Sequence, residues 1–163
     1  MRKLFLTVVA TAILAGVSSS VAAAPSGTPV TEPVRPSAPV TWLTSFSQAQ
    51  EIARKEKKAL FILFTGSDWC PWCVRLHDEV LTRPEFQEYA RKKLVLVLVD
   101  FPRKKGQTPE QKKANQALAQ KYEVQGFPTV LLTDANGSII GTTGYQRGGA
   151  ASYVKHLETL LKP

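Results

Sequence analysis

The chain has 163 residues, 44% of them hydrophobic and 21% charged, a globular composition with length for one domain of ordinary size and a real core. Its formal charge of +8 raises a nucleic-acid reading, but the basic residues are scattered and no aromatic interleaving accompanies them, so that class is set aside. The densest basic run, Arg103, Lys104, Lys105, Lys112 and Lys113 around a Gly-Gln-Thr-Pro turn, reads as a solvated face.

Arg2 and Lys3 lead into an apolar run from Leu4 to Val17, followed by small residues through Ala24. That pattern predicts a secretory leader over residues 1–24, cleaved between Ala22 and Ala24. The run is short for a membrane span, and Leu14-Ala15-Gly16-Val17 lacks the cysteine that a lipid anchor needs. Removing Arg2 and Lys3 from the 21 basic residues leaves 19 against 13 acidic ones. Residues 25–40 hold five prolines and no hydrophobic block, the composition of an extended tether. The mature domain, residues 41–163, is expected in an exported, oxidising compartment.

From Trp42 the pattern changes. Phe46, Ala49, Ile52 and Ala53 recur at helical spacing, with Ser47 and Gln50 as a capping box and the charged run Arg54 to Lys58 as the end. Ala59 to Phe64 is a continuous apolar run, predicting a strand covered on both faces. After a polar turn come the two cysteines, Cys70 and Cys73, and then Val74, Leu76, Val80 and Leu81, which predict a helix to about Leu81. Pro84 opens a short helix carrying Phe86 and Ala90. Leu94 to Val99 is a second buried strand, closed by Asp100 and Pro102. Pro109 opens a helix with Ala114, Ala117, Leu118 and Tyr122 on one face. Strands at 129–133 and 138–143 flank Asp134-Ala135-Asn136-Gly137, whose Asn-Gly pair signals a hairpin. Tyr153, Val154, Leu157, Leu160 and Leu161 stripe a last helix. The order, a leading helix, βαβ, a connecting helix and ββα, predicts an α/β fold: one mixed sheet with helices on both faces.

A Cys-x-x-Cys pair that follows a buried strand and opens a helix favours redox chemistry. At the N-cap, Cys70 would lie near unpaired N–H groups and the positive end of the helix dipole, both of which favour thiolate. Pro71 falls where a missing N–H costs nothing. Cys73, one turn inside, would be shielded, making Cys70 the attacking thiol and Cys73 the resolving one. A structural bridge stays open, although so small a loop restricts the unfolded chain little. A zinc site needs about four ligands, and only His77 and the distant His156 supplement the thiols. Covalent haem attachment is excluded, since residue 74 is valine. His77 is a base or an exposed helix residue. Trp69 reads as packing that supports the loop, and Trp72 as a platform for partners.

Trp69-Cys70-Pro71-Trp72-Cys73, with Gly126-Phe127-Pro128-Thr129 far downstream, resembles the thioredoxin superfamily over roughly residues 42 to 161. The resemblance implies a thioredoxin-like fold in which Pro128 is a cis-proline against the sulfurs and Phe127 lies beside a bound substrate strand. Phe64 to Cys70, Val99-Asp100-Phe101-Pro102 and Gly148 to Tyr153 resemble secreted DsbH-type oxidoreductases. That implies a soluble periplasmic dithiol protein that reduces disulfides in exported proteins and is recharged by a membrane electron donor of the DsbD type. The cofactor is then the dithiol itself, no metal, nucleotide or flavin site is visible, and nothing demands a dimer, so a monomer is expected. An isomerase or oxidase, or a copper-binding dithiol module, is the alternative. Two departures stand out. Phe64 occupies the place of the buried carboxylate that takes the resolving thiol's proton in many thioredoxins, leaving Asp68 as a nearer candidate acceptor or else a turn and capping residue. Pro71-Trp72 puts no cationic histidine between the cysteines, which predicts a mildly to strongly reducing couple.

Overall fold

A computed structural model describes residues 39 to 162. The leader over 1–24 and the tether up to residue 38 lie outside the described residues. The tether's last residue does not continue it: the Val40 N–H donates to Gln87 at 2.8 Å and its side chain packs against the core.

Among the described residues, five strands and five helices follow in order: β1 (Trp42–Leu43), α1 (Phe46–Glu56), β2 (Ala59–Thr65), α2 (Pro71–Leu76), α3 (Pro84–Lys93), β3 (Leu94–Asp100), α4 (Pro109–Lys121), β4 (Thr129–Thr133), β5 (Ile139–Thr143) and α5 (Gly149–Leu160). A π-helical turn, His77–Leu81, prolongs α2. The sheet order is β1-β3-β2-β4-β5, with β1 and β2 parallel to β3, and β4 antiparallel to both β2 and β5. The expected mixed sheet is therefore present, with β1 as an added edge too short to show a period of its own.

Alternation along β2 explains its continuous apolar run. Leu60, Ile62 and Phe64 face a core shared with Ala49 and Ala53 of α1 and with Leu118 and Ala119 of α4. Phe61 and Leu63 face the opposite core, with Phe86 and Ala90 of α3 and Tyr153 and Leu157 of α5. Side chains of period two thus feed two hydrophobic layers, and each layer needs helices to cover it.

Local signals differ from expectation at two helices. The cap of α1 is Ser45, whose Oγ accepts from the Gln48 N–H, rather than Ser47. Ser45 and Gln48 hold the same three-residue spacing two residues earlier, with Phe46 already helical. In α4 the expected stripe is rotated: Ala114 and Ala117 are exposed and Asn115 is buried. Asn115 Nδ2 donates to the Asp100 carbonyl at 2.8 Å and its Oδ1 accepts from Gln111 at 2.7 Å. A satisfied amide can take a core-facing position that hydrophobic periodicity assigns to apolar residues.

Phe61 is fully buried between the rings of Trp42, at 6.0 Å, and Phe86, at 5.4 Å. Phe61→Ala should lower unfolding free energy by about 3–5 kcal/mol, read from the shifted midpoint of urea denaturation.

Candidate active site

The register of the sheet assembles the site. Thr65 pairs with Asp100 in the parallel ladder, and Phe64 pairs with Thr129 in the antiparallel one. The chain leaving β2, the chain leaving β3 and the chain entering β4 therefore meet at one end of the sheet. Ligand sites form where open α/β sheets present the carboxyl ends of their strands.

The loop leaving β2 carries Gly66, Trp69 and Cys70. The Gly66 carbonyl accepts from the N–H groups of Trp69 and Cys70, turning the chain into α2. A Cβ on Gly66 would collide with the Trp69 indole, so the ring closes over glycine only. Trp69 Nε1 donates to the Phe101 carbonyl at 2.7 Å, and its ring meets Phe127 edge-on at 5.9 Å. Phe127 in turn stacks on Phe101 at 5.1 Å. Trp69 thus ties together all three converging segments.

Cys70 is the N-cap of α2 and Pro71 its first residue. The two cysteines form a disulfide, with Cα atoms 5.2 Å apart. The Cys70 sulfur accepts the Cys73 N–H at 3.2 Å, a donor that would also stabilise a Cys70 thiolate after reduction. The same sulfur lies 3.6 Å from the Phe127 carbonyl; as a thiol it can donate there, whereas the disulfide has no proton to give. The Phe127-Pro128 bond is cis. Gly144 from the β5 side packs where a Cβ would come 2.8 Å from the Pro128 carbonyl oxygen.

Exposure of the cysteines departs from expectation. Both are buried, at 4% each, so accessibility does not separate an open Cys70 from a shielded Cys73. The reason is that the helix start and the Phe127 carbonyl enclose Cys70 while its neighbours Pro71 and Trp72 remain exposed. The two sulfurs differ in what they adjoin. Cys70 abuts Phe127, which lines an open groove with Trp72, Pro128, Tyr145, Gln146 and Arg147. Cys73 lines a separate cavity of about 420 Å³ beneath, with Thr65, Ser67, His77 and Asp100 among its walls.

Trp72 is 47% exposed and leans on Tyr145 at 5.4 Å. The Tyr145 hydroxyl donates to Glu79 at 2.5 Å, and that bond raises its pKa above the ordinary phenol value. Asp68 serves a different segment. Its carboxylate accepts the N–H groups of Arg103, Lys104 and Lys105 at 2.7–3.0 Å, and these donors, Arg103 foremost, hold its pKa below the usual value. It is not among the residues lining the Cys73 cavity, and its contacts are those of the capping residue that was its alternative reading. The carboxylate that does line it is Asp100, whose oxygens accept from the Ser67 N–H at 3.0 Å and Ser67 Oγ at 2.6 Å. The sequence signal was available: Asp100 closes a strand equal in length to β2, so parallel pairing sets it beside the residue after Phe64.

His77 lines the same cavity with an exposed ring, its Nδ1 2.7 Å from Asp78. His156 bonds Thr143 at 2.9 Å instead. Among the described residues no group of three or more potential metal ligands is gathered.

The arrangement is that of a thiol–disulfide oxidoreductase, and the comparisons agree. A thioredoxin-like domain family model matches residues 46–160. The disulfide bond reductase DsbH of Chlamydia pneumoniae is 40% identical over 118 residues, 72% of this chain and 71% of that one. The thioredoxin-related protein DsbJ of the same organism is 26% identical over 135 residues, 78% of this chain and 39% of that protein. A solved DsbH oxidoreductase superposes with a TM-score of 0.75 at 38% identity, covering 83% of this chain and 94% of that structure. The fold extends to a thioredoxin of Thermus thermophilus, TM-score 0.56 at 21% identity, covering 76% and 88%. The chain belongs to the thioredoxin superfamily, among its DsbH-type members.

Because the Asp68 pKa is depressed in the folded chain, its hold on the 103–105 segment is present above the unfolded carboxylate value and lost as pH falls through the folded one. Amide hydrogen exchange at Arg103, Lys104 and Lys105 should accelerate below that point relative to core amides, and Asp68→Ala should produce the same acceleration at neutral pH.

Proposed function

We propose that the protein is a periplasmic disulfide reductase acting on exported proteins through the Cys70–Cys73 pair. The observation that carries this reading is a Cys-Pro-Trp-Cys disulfide opening α2 against Phe127 and Pro128. Its chain is 40% identical to a relative named a disulfide bond reductase. The leader pattern of residues 1–24 supports export.

In the reduced protein the Cys70 thiolate attacks one sulfur of a substrate disulfide. That bond breaks, the first substrate sulfur leaves as thiolate and takes a proton from solvent, and a mixed disulfide joins Cys70 to the second. Cys73 then loses its proton and attacks the Cys70 sulfur, expelling the second substrate thiolate and closing the Cys70–Cys73 bond. Two electrons pass from the dithiol to the substrate. Asp100, which lines the same cavity as Cys73, takes the Cys73 proton. Trp72, Phe127 and Pro128 hold the substrate segment; Trp69, Pro71 and Asp68 support the loop and its neighbour. A dithiol donor of the DsbD type in the membrane restores the reduced state.

Cys70→Ser should abolish reduction of an insulin-type disulfide, whereas Cys73→Ser should accumulate mixed disulfides through Cys70, identified by mass spectrometry. A reduction potential near the roughly −120 mV of strong oxidants would contradict the reductase direction. Asp100→Asn should slow resolution of a preformed mixed disulfide by about tenfold or more at neutral pH and restore it as pH rises; an unchanged pH profile would remove Asp100 from the proton path.

A further inference from the structure

Three arginines stand around the Cys70 site, one in the groove itself and two over the rings that flank the cysteine pair. The Arg75 guanidinium lies 5.1 Å from the Trp72 ring centroid, and Arg103 lies 3.9 Å from that of Trp69. Arg147 lines the groove together with Trp72, Phe127, Pro128 and Tyr145. Arg75 and Arg147 therefore stand on the Trp72 and Tyr145 side, and Arg103 on the side of Trp69, Phe101 and Phe127.

All three side chains are exposed, and among the described residues none has a carboxylate within ion-pair distance. The nearby anions are engaged elsewhere: Glu79 by the Tyr145 hydroxyl, Asp68 by the backbone of residues 103–105, Asp78 by His77. A solvated arginine would cost little without a partner, so exposure alone decides nothing. What sets these apart is their place beside the site of reaction. Two lie on the rings that frame the sulfurs, and a stacked guanidinium loses less freedom when it forms paired hydrogen bonds to a carboxylate. At the Tyr145 phenol on the groove wall the Glu79 carboxylate prevails, with Arg75 and Arg147 acting against it.

We infer that this rim selects disulfides flanked by acidic residues, so that the preferred substrates are extended segments with Asp or Glu on either side of the attacked cysteine. The inference rests on the reductase reading and names the substrate class for the same site. Acidic flanks bring the substrate to the groove faster and hold it while Cys70 reacts; basic flanks are repelled at each side of the sulfur.

The test uses two synthetic peptides of identical length, each with one intramolecular disulfide, flanked by Glu in one and Lys in the other. The protein, fully reduced beforehand and mixed with excess peptide in a single turnover, should show a second-order rate constant about tenfold higher for the Glu peptide at low ionic strength. The ratio should fall toward one near 1 M salt, where charges are screened within about 3 Å. The combined Arg75→Gln, Arg103→Gln and Arg147→Gln variant, its fold checked by thermal melting, should lose most of the preference. Equal rates on both peptides overturn the charge inference and leave the reductase reading intact. A preference that survives the triple replacement also overturns it. Reduction of neither peptide overturns the reductase reading and this inference with it.

Discussion

The site depends on one constraint of register: β2 lies between β3 and β4, paired so that Thr65 meets Asp100 and Phe64 meets Thr129. Residues separated by 57 positions, Cys70 and Phe127, come within 3.6 Å because their strands end at the same edge. A shift of one residue in either ladder would turn the inner faces of β2 outward as well as moving the sulfurs from the cis-proline. Two cores of opposite facing residues therefore enforce the geometry of the chemistry.

On that frame the two cysteines are distinguished by surroundings rather than by exposure. Cys70 is an N-cap whose sulfur already receives an N–H and touches the wall of the open groove; Cys73 sits over the cavity that holds Asp100. Each sulfur receives one backbone N–H, Cys70 that of Cys73 at 3.2 Å and Cys73 that of Gly66 at 3.5 Å, so what separates them is the open groove beside one and the Asp100-lined cavity beside the other. The aromatic frame has a corresponding split. Trp69 is pinned to the two segments that converge on its own loop, by a hydrogen bond to one and a ring contact to the other, while Trp72 stays half exposed beside Tyr145.

Much of this was legible from residue order. The unbroken apolar runs of β2 and β3 announced strands covered on both faces, Asn136-Gly137 announced the β4–β5 hairpin, and the placement of Cys70 between a strand and Pro71 announced a capped helix start. The losses have physical causes. Asn115 replaced the expected alanine stripe of α4 because its amide is satisfied by Asp100 and Gln111, which periodicity cannot register. The two-residue β1 is too short to alternate. Burial of Cys70 and the engagement of Asp68 by the 103–105 backbone arise from contacts with residues 35 to 57 positions away, and linear spacing carries no trace of them. Asp100 read as a strand terminator until its neighbour across the sheet was known.

The central claim is that Cys70, not Cys73, is the ionised nucleophile of the reduced pair. Its direct measurement is the rate of iodoacetamide modification of each cysteine as a function of pH, resolved by mass spectrometry on the fully reduced protein. Cys70 should be labelled with a midpoint below the ordinary cysteine value of about 8.5, while Cys73 resists labelling throughout that range. Preferential modification of Cys73, or equal modification of both with an ordinary midpoint, would contradict the account.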